Sequence, residues 1–137
     1  MAPTPTKSKG ITVRSPILKQ GDVLIASVQA SLTDTDLIQL RNELLSDVQK
    51  YRALGVIVDV TLLDVMDSFS ARTLRDMAHA VTLLGAEAIV VGIQPDVAFA
   101  MVQLGLQLQG AVTALDLDEG LDMLKRQRVV RRTRNGK

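Results

Sequence analysis

Two runs of apolar residues constrain the fold of this chain more than any other feature. They occupy residues 56–60 (VIVDV) and 88–93 (AIVVGI), and neither alternates between apolar and polar positions. A strand with such a pattern is covered on both of its faces, which is typical of the central strands of a parallel sheet. The chain must therefore place other elements above and below a sheet.

Helical patterns surround these two runs. Apolar residues spaced three or four positions apart predict helices over residues 34–52 and 68–84, and further helices that begin at Pro95 and Asp116. Two short strands, at residues 16–19 and 22–27, form a predicted hairpin, and a last short strand lies near Val112. The order β-β-α-β-α-β-α-β-α requires right-handed crossover connections. We predict an α/β fold: a single domain with a mostly parallel central sheet, an edge hairpin and about four helices.

The composition excludes several kinds of site. Among 137 residues there is no cysteine and a single histidine, His79, so thiolate and multi-histidine metal centres are excluded. The chain also lacks the phosphate-binding strings GxxxxGKS, GxxxxGKT and GxGxxG. A Ser-His-Asp triad would have to use His79, whose place in the second predicted helix favours a structural role. We predict a protein that is not an enzyme and that carries no cofactor.

Charge is unevenly distributed along the chain. Residues 1–14 and 125–137 are basic and contain no acid, whereas residues 15–124 hold six basic and all 15 acidic residues, a net charge of −9. We expect a flexible leader over residues 1–13, one domain over 14–125 and a disordered basic tail over 126–137. Such a tail can bind nucleic acid or anionic lipid, but the acidic body opposes this docking. Because there is no signal peptide and no run of about 20 apolar residues, we expect a cytoplasmic protein.

The loop after the first buried run is the main candidate site. In α/β folds, the loops that leave the carboxyl ends of strands bind ligands and partners. Here the loop carries apolar residues among the acidic Asp64 and Asp67, and Ser68 follows at the start of a predicted helix. Either Asp67 or Ser68 simply caps this helix and Phe69 belongs to the core, or the segment is a binding surface. Spacing alone does not decide between these interpretations.

Several strings resemble a known family. Val58-Asp59, Asp67-Ser68-Phe69 and residues 91–95 with 102–106 resemble the STAS domain of bacterial anti-sigma-factor antagonists, especially the RsbS-type component of the stressosome. The resemblance covers residues 14–125. The larger RsbR-type relatives have an added N-terminal sensor domain and a threonine where this chain has Ala100, and both departures favour the RsbS type.

The resemblance implies a phosphorylation switch. The unmodified protein would hold a serine/threonine kinase of the RsbT type inactive, and phosphorylation of Ser68 by that kinase would release it. Further implied partners are an RsbR-type co-antagonist in a large hetero-oligomer, other copies of the chain, and a serine phosphatase. We assign partner binding to the residues around Ser68, namely Asp64, Met66, Asp67, Phe69 and Arg72. The rival function is a simple antagonist that binds an anti-sigma-factor kinase directly.

The chemistry of such a switch follows from the position of Ser68. A phosphate there adds about −1.5 to −2 charges, and a helix N-terminus stabilises it by roughly 0.3–1 kcal/mol. Arg72, four residues on, can pair with it. We therefore expect the fold to survive phosphorylation while the surface turns strongly negative and expels a docked partner. Ser70 and Thr73 are the rival acceptors.

Overall fold

A computed structural model describes residues 16–108 and 110–136, apart from the side chains of Arg128 and residues 131–136. The five strands are β1 (Ile17–Gln20), β2 (Val23–Ser27), β3 (Gly55–Asp59), β4 (Glu87–Val91) and β5 (Val112–Ala114). The four helices are α1 (Asp34–Tyr51), α2 (Ser68–Leu83), α3 (Pro95–Gln103) and α4 (Leu117–Gly136). The α/β class and the order of elements predicted from the sequence are confirmed.

The strands form one sheet in the order β1-β2-β3-β4-β5. Strand β1 is antiparallel to β2, as expected of an edge hairpin, and the other neighbours are parallel. Ile57 of β3 lies between Ile25 and Ile89 on the neighbouring strands, and its side chain is fully buried. Burial on both faces of β3 and β4 is the physical reason why their sequences do not alternate.

Helices cover the two faces of the sheet unequally. The three crossover helices α1, α2 and α3 pack on one face. Leu44 of α1 and Met77 of α2 belong there to the same buried cluster as Val90 of β4. Helix α4 covers the other face, and its Leu124 packs against a smaller apolar cluster there. Gly120 lets α4 lie close to the sheet, since a Cβ atom at this position would sit 2.9 Å from Cγ1 of Val91.

Helix α4 continues into the basic segment near the end of the chain. Its start is fixed by Asp116, which accepts a hydrogen bond from the Glu119 backbone N–H at 2.9 Å, and by the Glu119 carboxylate, which accepts one from Leu115 at 2.6 Å. The backbone stays helical to Gly136, whereas the sequence predicts a disordered tail over residues 126–137. Once a helix has nucleated, each added residue gains a hydrogen bond, which explains the continuation. The division into leader, domain and tail stays a prediction, and the leader, residues 1–13, lies outside the described residues.

The helices also bear on the question of membrane insertion. Across the described part of the chain, none of them combines the length and the apolar character that crossing a bilayer requires.

Candidate functional site

Helix α2 is capped by Asp67. The Oδ1 atom of Asp67 accepts a hydrogen bond from the Ser70 backbone N–H at 2.8 Å, and its backbone carbonyl accepts one from Ala71 at 3.0 Å. The extended backbone of Asp67 (φ −89°, ψ 175°) is that of an N-cap residue. Of the two capping residues that the sequence allowed, Asp67 fills the position, and Ser68 is the first helical residue.

The cap lowers the pKa of Asp67 below its ordinary value of 3.8. The largest cause is the hydrogen bond from the Ser70 backbone N–H, followed by one from the Ser70 hydroxyl, and the positive charge of Arg72 adds a smaller effect. Asp67 therefore carries a full negative charge beside Ser68 at neutral pH. Because its side chain is exposed, solvent screens the attraction to Arg72.

The three candidate phosphate acceptors differ in access. Thr73 is buried, with 6% of its surface exposed, whereas Ser68 and Ser70 are half-buried. The Ser70 hydroxyl lies close enough to the Asp67 carboxylate to contribute to its lowered pKa. The Ser68 hydroxyl has no side-chain hydrogen bond to any residue that the structure describes. Only Ser68 thus combines partial exposure with a hydroxyl that the helix cap does not use.

The side chains assigned to partner binding do not all lie at the surface. Asp64, Asp67 and Arg72 are exposed and Phe69 is half-buried. Met66 belongs to the hydrophobic core, with 8% exposure, so it is not part of the surface around Ser68.

Two exposed apolar residues of the same loop were not assigned to partner binding from the sequence. Val65 is 76% exposed and Leu62 is 59% exposed, although both lie in a segment rich in apolar residues. A loop has no repeating period, so nothing in the pattern separates the exposed Val65 from the buried Met66 next to it.

A cavity of about 220 Å³ lies behind this loop. Its walls come from residues 28–37 on one side and residues 60–74 on the other, and they are mostly apolar. Met66 forms part of the cavity wall, and the polar residues that line the cavity include Asp67 and Ser70. Met66 belongs to the same buried cluster as Val28, just after β2, and Ala71 in the first turn of α2.

Two hydrogen-bonding partners and a close backbone contact fix the position of Thr61 at the start of the loop. Asp59 Oδ1 accepts hydrogen bonds from the Thr61 backbone N–H at 3.0 Å and from its hydroxyl at 2.6 Å. The Gln94 side-chain amide donates to the Thr61 carbonyl. Gly92, at φ +78°, passes so close that a Cβ atom on it would lie 3.0 Å from the Cα of Thr61. Two strings that carry the family resemblance, those containing Asp59 and Gly92, therefore meet at this residue.

The structure also locates the groups that were considered for metal binding and catalysis. Within residues 16–108 and 110–130, no three side chains of histidine, cysteine, aspartate or glutamate are grouped so that they could hold a metal ion. His79 is half-buried in α2, and its Nδ1 atom is buried without a hydrogen-bond partner.

Removing the cap should destabilise the domain in a pH-dependent way. We expect Asp67→Ala to lower the free energy of unfolding by about 1 kcal/mol at pH 7, and Asp67→Asn, which still accepts the Ser70 hydrogen bond, to lower it less. Since folding lowers the pKa of Asp67, the ionised carboxylate stabilises the fold above pH 3.8, and this stabilisation is lost as the pH falls through the lowered pKa. Urea denaturation at pH 7 and pH 2.5 measures both effects. A difference between wild type and Asp67→Asn that grows on acidification would contradict the assignment.

Comparisons with known proteins agree with the fold. The model of the STAS domain family matches residues 15–119. A structure of a serine-to-glutamate variant of RsbS from Moorella thermoacetica has a TM-score of 0.74 and 36% sequence identity, covering 82% of this chain and 98% of that one. A chain from the structure of the stressosome, a signal integration and transduction hub, has the same TM-score and coverage with 37% identity.

A curated relative matches over a shorter region. The RsbT co-antagonist protein RsbRA of Bacillus subtilis (strain 168) is 32% identical over 83 residues, which are 61% of this chain. The match spans about 30% of the length of RsbRA. Since the family model covers well over half of the sequence, this chain belongs to the STAS domain family, and over most of its length it is similar to the RsbS protein of Moorella thermoacetica.

Proposed function

We propose that this chain is a phosphorylation-controlled binding protein of a stressosome-type assembly and not an enzyme. In its unmodified form it binds a serine/threonine kinase of the RsbT type and keeps it inactive, and phosphorylation of Ser68 releases the kinase. The observation that carries this proposal is the Ser68 hydroxyl, which is partly exposed and not used by the cap at the first position of α2. The similarity to RsbS over 82% of the chain supports the choice of pathway.

The surface around Ser68 suits protein docking before phosphorylation. Val65 and Leu62 project apolar side chains that are 76% and 59% exposed, and Asp64 and Asp67 lie in the same segment. Exposed apolar groups rimmed by polar ones are typical of protein–protein contacts. The kinase would bury these two side chains and contact the acidic groups at the rim.

A phosphate on Ser68 finds local stabilisation without a change of fold. In the first turn of α2, the backbone N–H groups of Ser70 and Ala71 are occupied by Asp67, and those of Ser68 and Phe69 are the ones left without an intrahelical partner. These two N–H groups lie at the positive end of the helix dipole, which stabilises a negative charge such as a phosphate. Arg72 has no ion pair among the described residues and lies one turn further along α2.

The same phosphate changes the docking surface. It brings about −1.5 to −2 charges next to Asp64 and Asp67, both of which are already exposed carboxylates. A partner seated on this surface has to desolvate the added charge, which is unfavourable by several kcal/mol when the charge is imperfectly paired. The expected result is release of the kinase by local electrostatics, without a large motion.

The remaining partners follow from the same proposal. RsbRA is an RsbT co-antagonist, which supports an RsbR-type protein as the companion of this chain and an RsbT-type kinase as their shared target. A serine phosphatase would reset the switch, and the ATP-dependent reaction fits a cytoplasmic location. Gel filtration separates this function from that of a simple antagonist: with an RsbR-type partner, the 14.8 kDa chain should elute in a very large particle.

Phosphorylation mapping tests the acceptor directly. Incubation with an RsbT-type kinase and ATP, followed by mass spectrometry, should place phosphate on Ser68 of the wild-type chain. Ser70→Ala, the matched control two residues away, should be modified as in wild type, and Ser68→Ala should remain unmodified. Normal phosphorylation of Ser68→Ala would rule out Ser68 as the acceptor.

A further inference from the structure

Most acidic residues of the domain lie at one end of the sheet. Because β2 to β5 are parallel, the segments at and after their carboxyl ends lie on the same side of the sheet. Eight of the 15 acidic residues belong to these segments: Asp34, Asp36, Asp59, Asp64, Asp67, Asp96, Asp116 and Glu119. Within residues 16–108 and 110–136, Arg72 in the first turn of α2 is the one basic residue at this end. The end that carries Ser68 is therefore strongly negative.

The opposite end of the sheet gathers basic residues from separate elements. Lys19 of β1 and Lys50 of α1 both approach the ring of Tyr51, with their Nζ atoms 5.4 Å and 5.2 Å from its centroid. Tyr51 is 41% exposed, and Arg52 next to it is exposed as well. A cation within about 6 Å of an aromatic ring is attracted to the ring face. Tyr51 therefore keeps two ammonium groups close together at the surface.

Helix α4 carries its basic segment to this same end. Gly120 of α4 lies against the carboxyl end of β4, and Leu124 lies against Gly55 at the amino end of β3. The helix thus runs towards the amino ends of the strands and continues past Leu124 as far as Gly136, which at 1.5 Å per residue is about 18 Å. Residues 125–137 hold seven basic residues and no acidic one.

A cleft connects the two groups of basic residues. Its walls are residues 20–23, which form the turn of the β1–β2 hairpin, and residues of α4 from Asp118 to Lys125. The exposed Lys125 therefore lies across the cleft from the turn that directly follows Lys19. The lysines around Tyr51 and the start of the basic segment of α4 belong to one continuous surface.

This end stays positive when its acidic residues are counted. Five of them lie here: Asp22, Asp47, Glu87, Asp118 and Asp122. Asp122 is 3.8 Å from Arg126, and since both side chains are exposed, the attraction between them is weak. Nine basic residues belong to the described backbone of this end: Lys19, Lys50, Arg52, Lys125, Arg126, Arg128, Arg131, Arg132 and Arg134. The two ends of the domain therefore carry opposite charge.

We propose that this basic end binds the phosphodiester backbone of a nucleic acid. The net charge of −9 on residues 15–124 weighs against such binding when only the sequence is considered. In the structure, more than half of the carboxylates lie at the other end of the sheet. A nucleic acid along the last part of α4 can therefore reach Lys19 and Lys50 without approaching the carboxylates around Ser68. Lysine and arginine that neutralise phosphates release counterions, which favours binding of any sequence.

An anionic membrane and an acidic protein fit this end less well. A helix that lies on a membrane surface has an apolar face opposite its basic face. Among residues 125–136, the large apolar residues are Val129 and Val130, and two adjacent residues do not share a face of a helix. Carboxylates on a protein surface are sparse, whereas double-stranded DNA carries one negative charge per about 1.7 Å of its axis. A dense run of basic residues is therefore best neutralised by a nucleic acid.

Fluorescence anisotropy of a labelled RNA strand of about 20 nucleotides, titrated with the full chain, tests the inference. We expect binding that weakens steeply with salt, with a slope of log K against log salt of about −0.7 for each phosphate contact. At about 150 mM salt, Lys19→Gln combined with Lys50→Gln should weaken binding about tenfold, and Lys125→Gln combined with Arg126→Gln should do the same. Each pair should also reduce the steepness of the salt dependence by about 1.4.

The matched control is Arg41→Gln combined with Arg75→Gln, which removes the same number of charges elsewhere on the domain. Arg41 lies nine residues before Lys50 on α1, about 13 Å along the helix axis, which exceeds the Debye length of about 8 Å at this salt concentration. The control should bind RNA as wild type does. Single-stranded DNA of the same sequence should bind as RNA does, because the proposed contacts are to phosphates.

Several outcomes would overturn the inference. These are the absence of RNA and DNA binding at about 50 mM salt, an affinity that does not change with salt, and a control pair that loses as much affinity as the two test pairs. Tighter binding to vesicles that contain phosphatidylserine, or to polyglutamate, would identify a membrane or an acidic protein as the partner instead.

A second measurement needs no substitution and replaces any variant that unfolds. Tyr51 is the only tyrosine of the chain, and bound RNA should slow its nitration by tetranitromethane, as measured by mass spectrometry. Nitration at an unchanged rate with RNA bound would also overturn the inference. The inference does not rest on the proposed function, since Ser68 lies at the other end of the domain. A chain that binds RNA but is not phosphorylated on Ser68 would refute only the proposed function.

Discussion

Ser68→Glu is expected to weaken binding of the RsbT-type kinase by about 100-fold or more, with an unchanged far-UV circular dichroism spectrum. A 100-fold change corresponds to about 2.7 kcal/mol, which is within the desolvation penalty of one imperfectly paired charge in an interface. The helix itself tolerates the glutamate, because Asp67 supplies the cap and a carboxylate is favoured in the first turn of a helix. Isothermal titration calorimetry with the purified kinase measures the change in affinity.

The matched control for this variant is Ser68→Gln, which has the same size as the glutamate variant without its charge. We expect Ser68→Gln to weaken binding less than tenfold and Ser68→Ala to bind nearly as wild type does. Equal weakening by glutamine and glutamate would show that steric bulk, and not charge, disrupts the contact. A loss of helical signal in Ser68→Glu would show that Ser68 is a structural residue of α2.

The buried strands and the helices were predictable from the sequence because burial imposes a period on it. The run at residues 56–60 is apolar throughout since β3 is covered on both faces, and the stripe through Leu40 and Leu44 follows the face of α1 that packs on the sheet. The helix cap was predictable only as a choice between two residues. Aspartate and serine are favoured about equally at the N-cap, so the sequence does not decide whether Asp67 or Ser68 caps α2.

The details of the site depend on contacts between segments that are far apart in the sequence. Gln94 donates to Thr61 across 33 residues, and no local pattern predicts this hydrogen bond. The same holds for Met66 and Val65, which are adjacent in an aperiodic loop, yet one is 8% and the other 76% exposed. The continuation of α4 was not predicted, because a run of basic residues without an apolar stripe was interpreted as a solvated tail, although arginine and lysine are themselves good helix formers.

The close approach of Gly92 to Thr61 leads to the largest expected effect on stability. We expect Gly92→Ala to lower the free energy of unfolding by about 3 kcal/mol in urea denaturation. The left-handed backbone, with φ +78°, disfavours alanine by roughly 1–2 kcal/mol. The added Cβ atom would also lie 2.0 Å from Thr61 Oγ1 and 3.0 Å from its Cα, so the backbone at the start of the loop has to move. Overpacking of this kind typically adds about 1–3 kcal/mol.

The control for this variant is Gly105→Ala, because Gly105 has a similar φ of +68° but open space around the position of a Cβ atom. It should lose only the backbone contribution, roughly 1–2 kcal/mol, so the difference between the two variants isolates the contact with Thr61. Equal losses would mean that Thr61 moves aside freely and that Gly92 does not fix the loop. If Thr61 is displaced as we expect, Gly92→Ala should also weaken kinase binding at temperatures where it is fully folded, since the segment from Thr61 to Ser68 would lose its anchor, while Gly105→Ala should bind as wild type does.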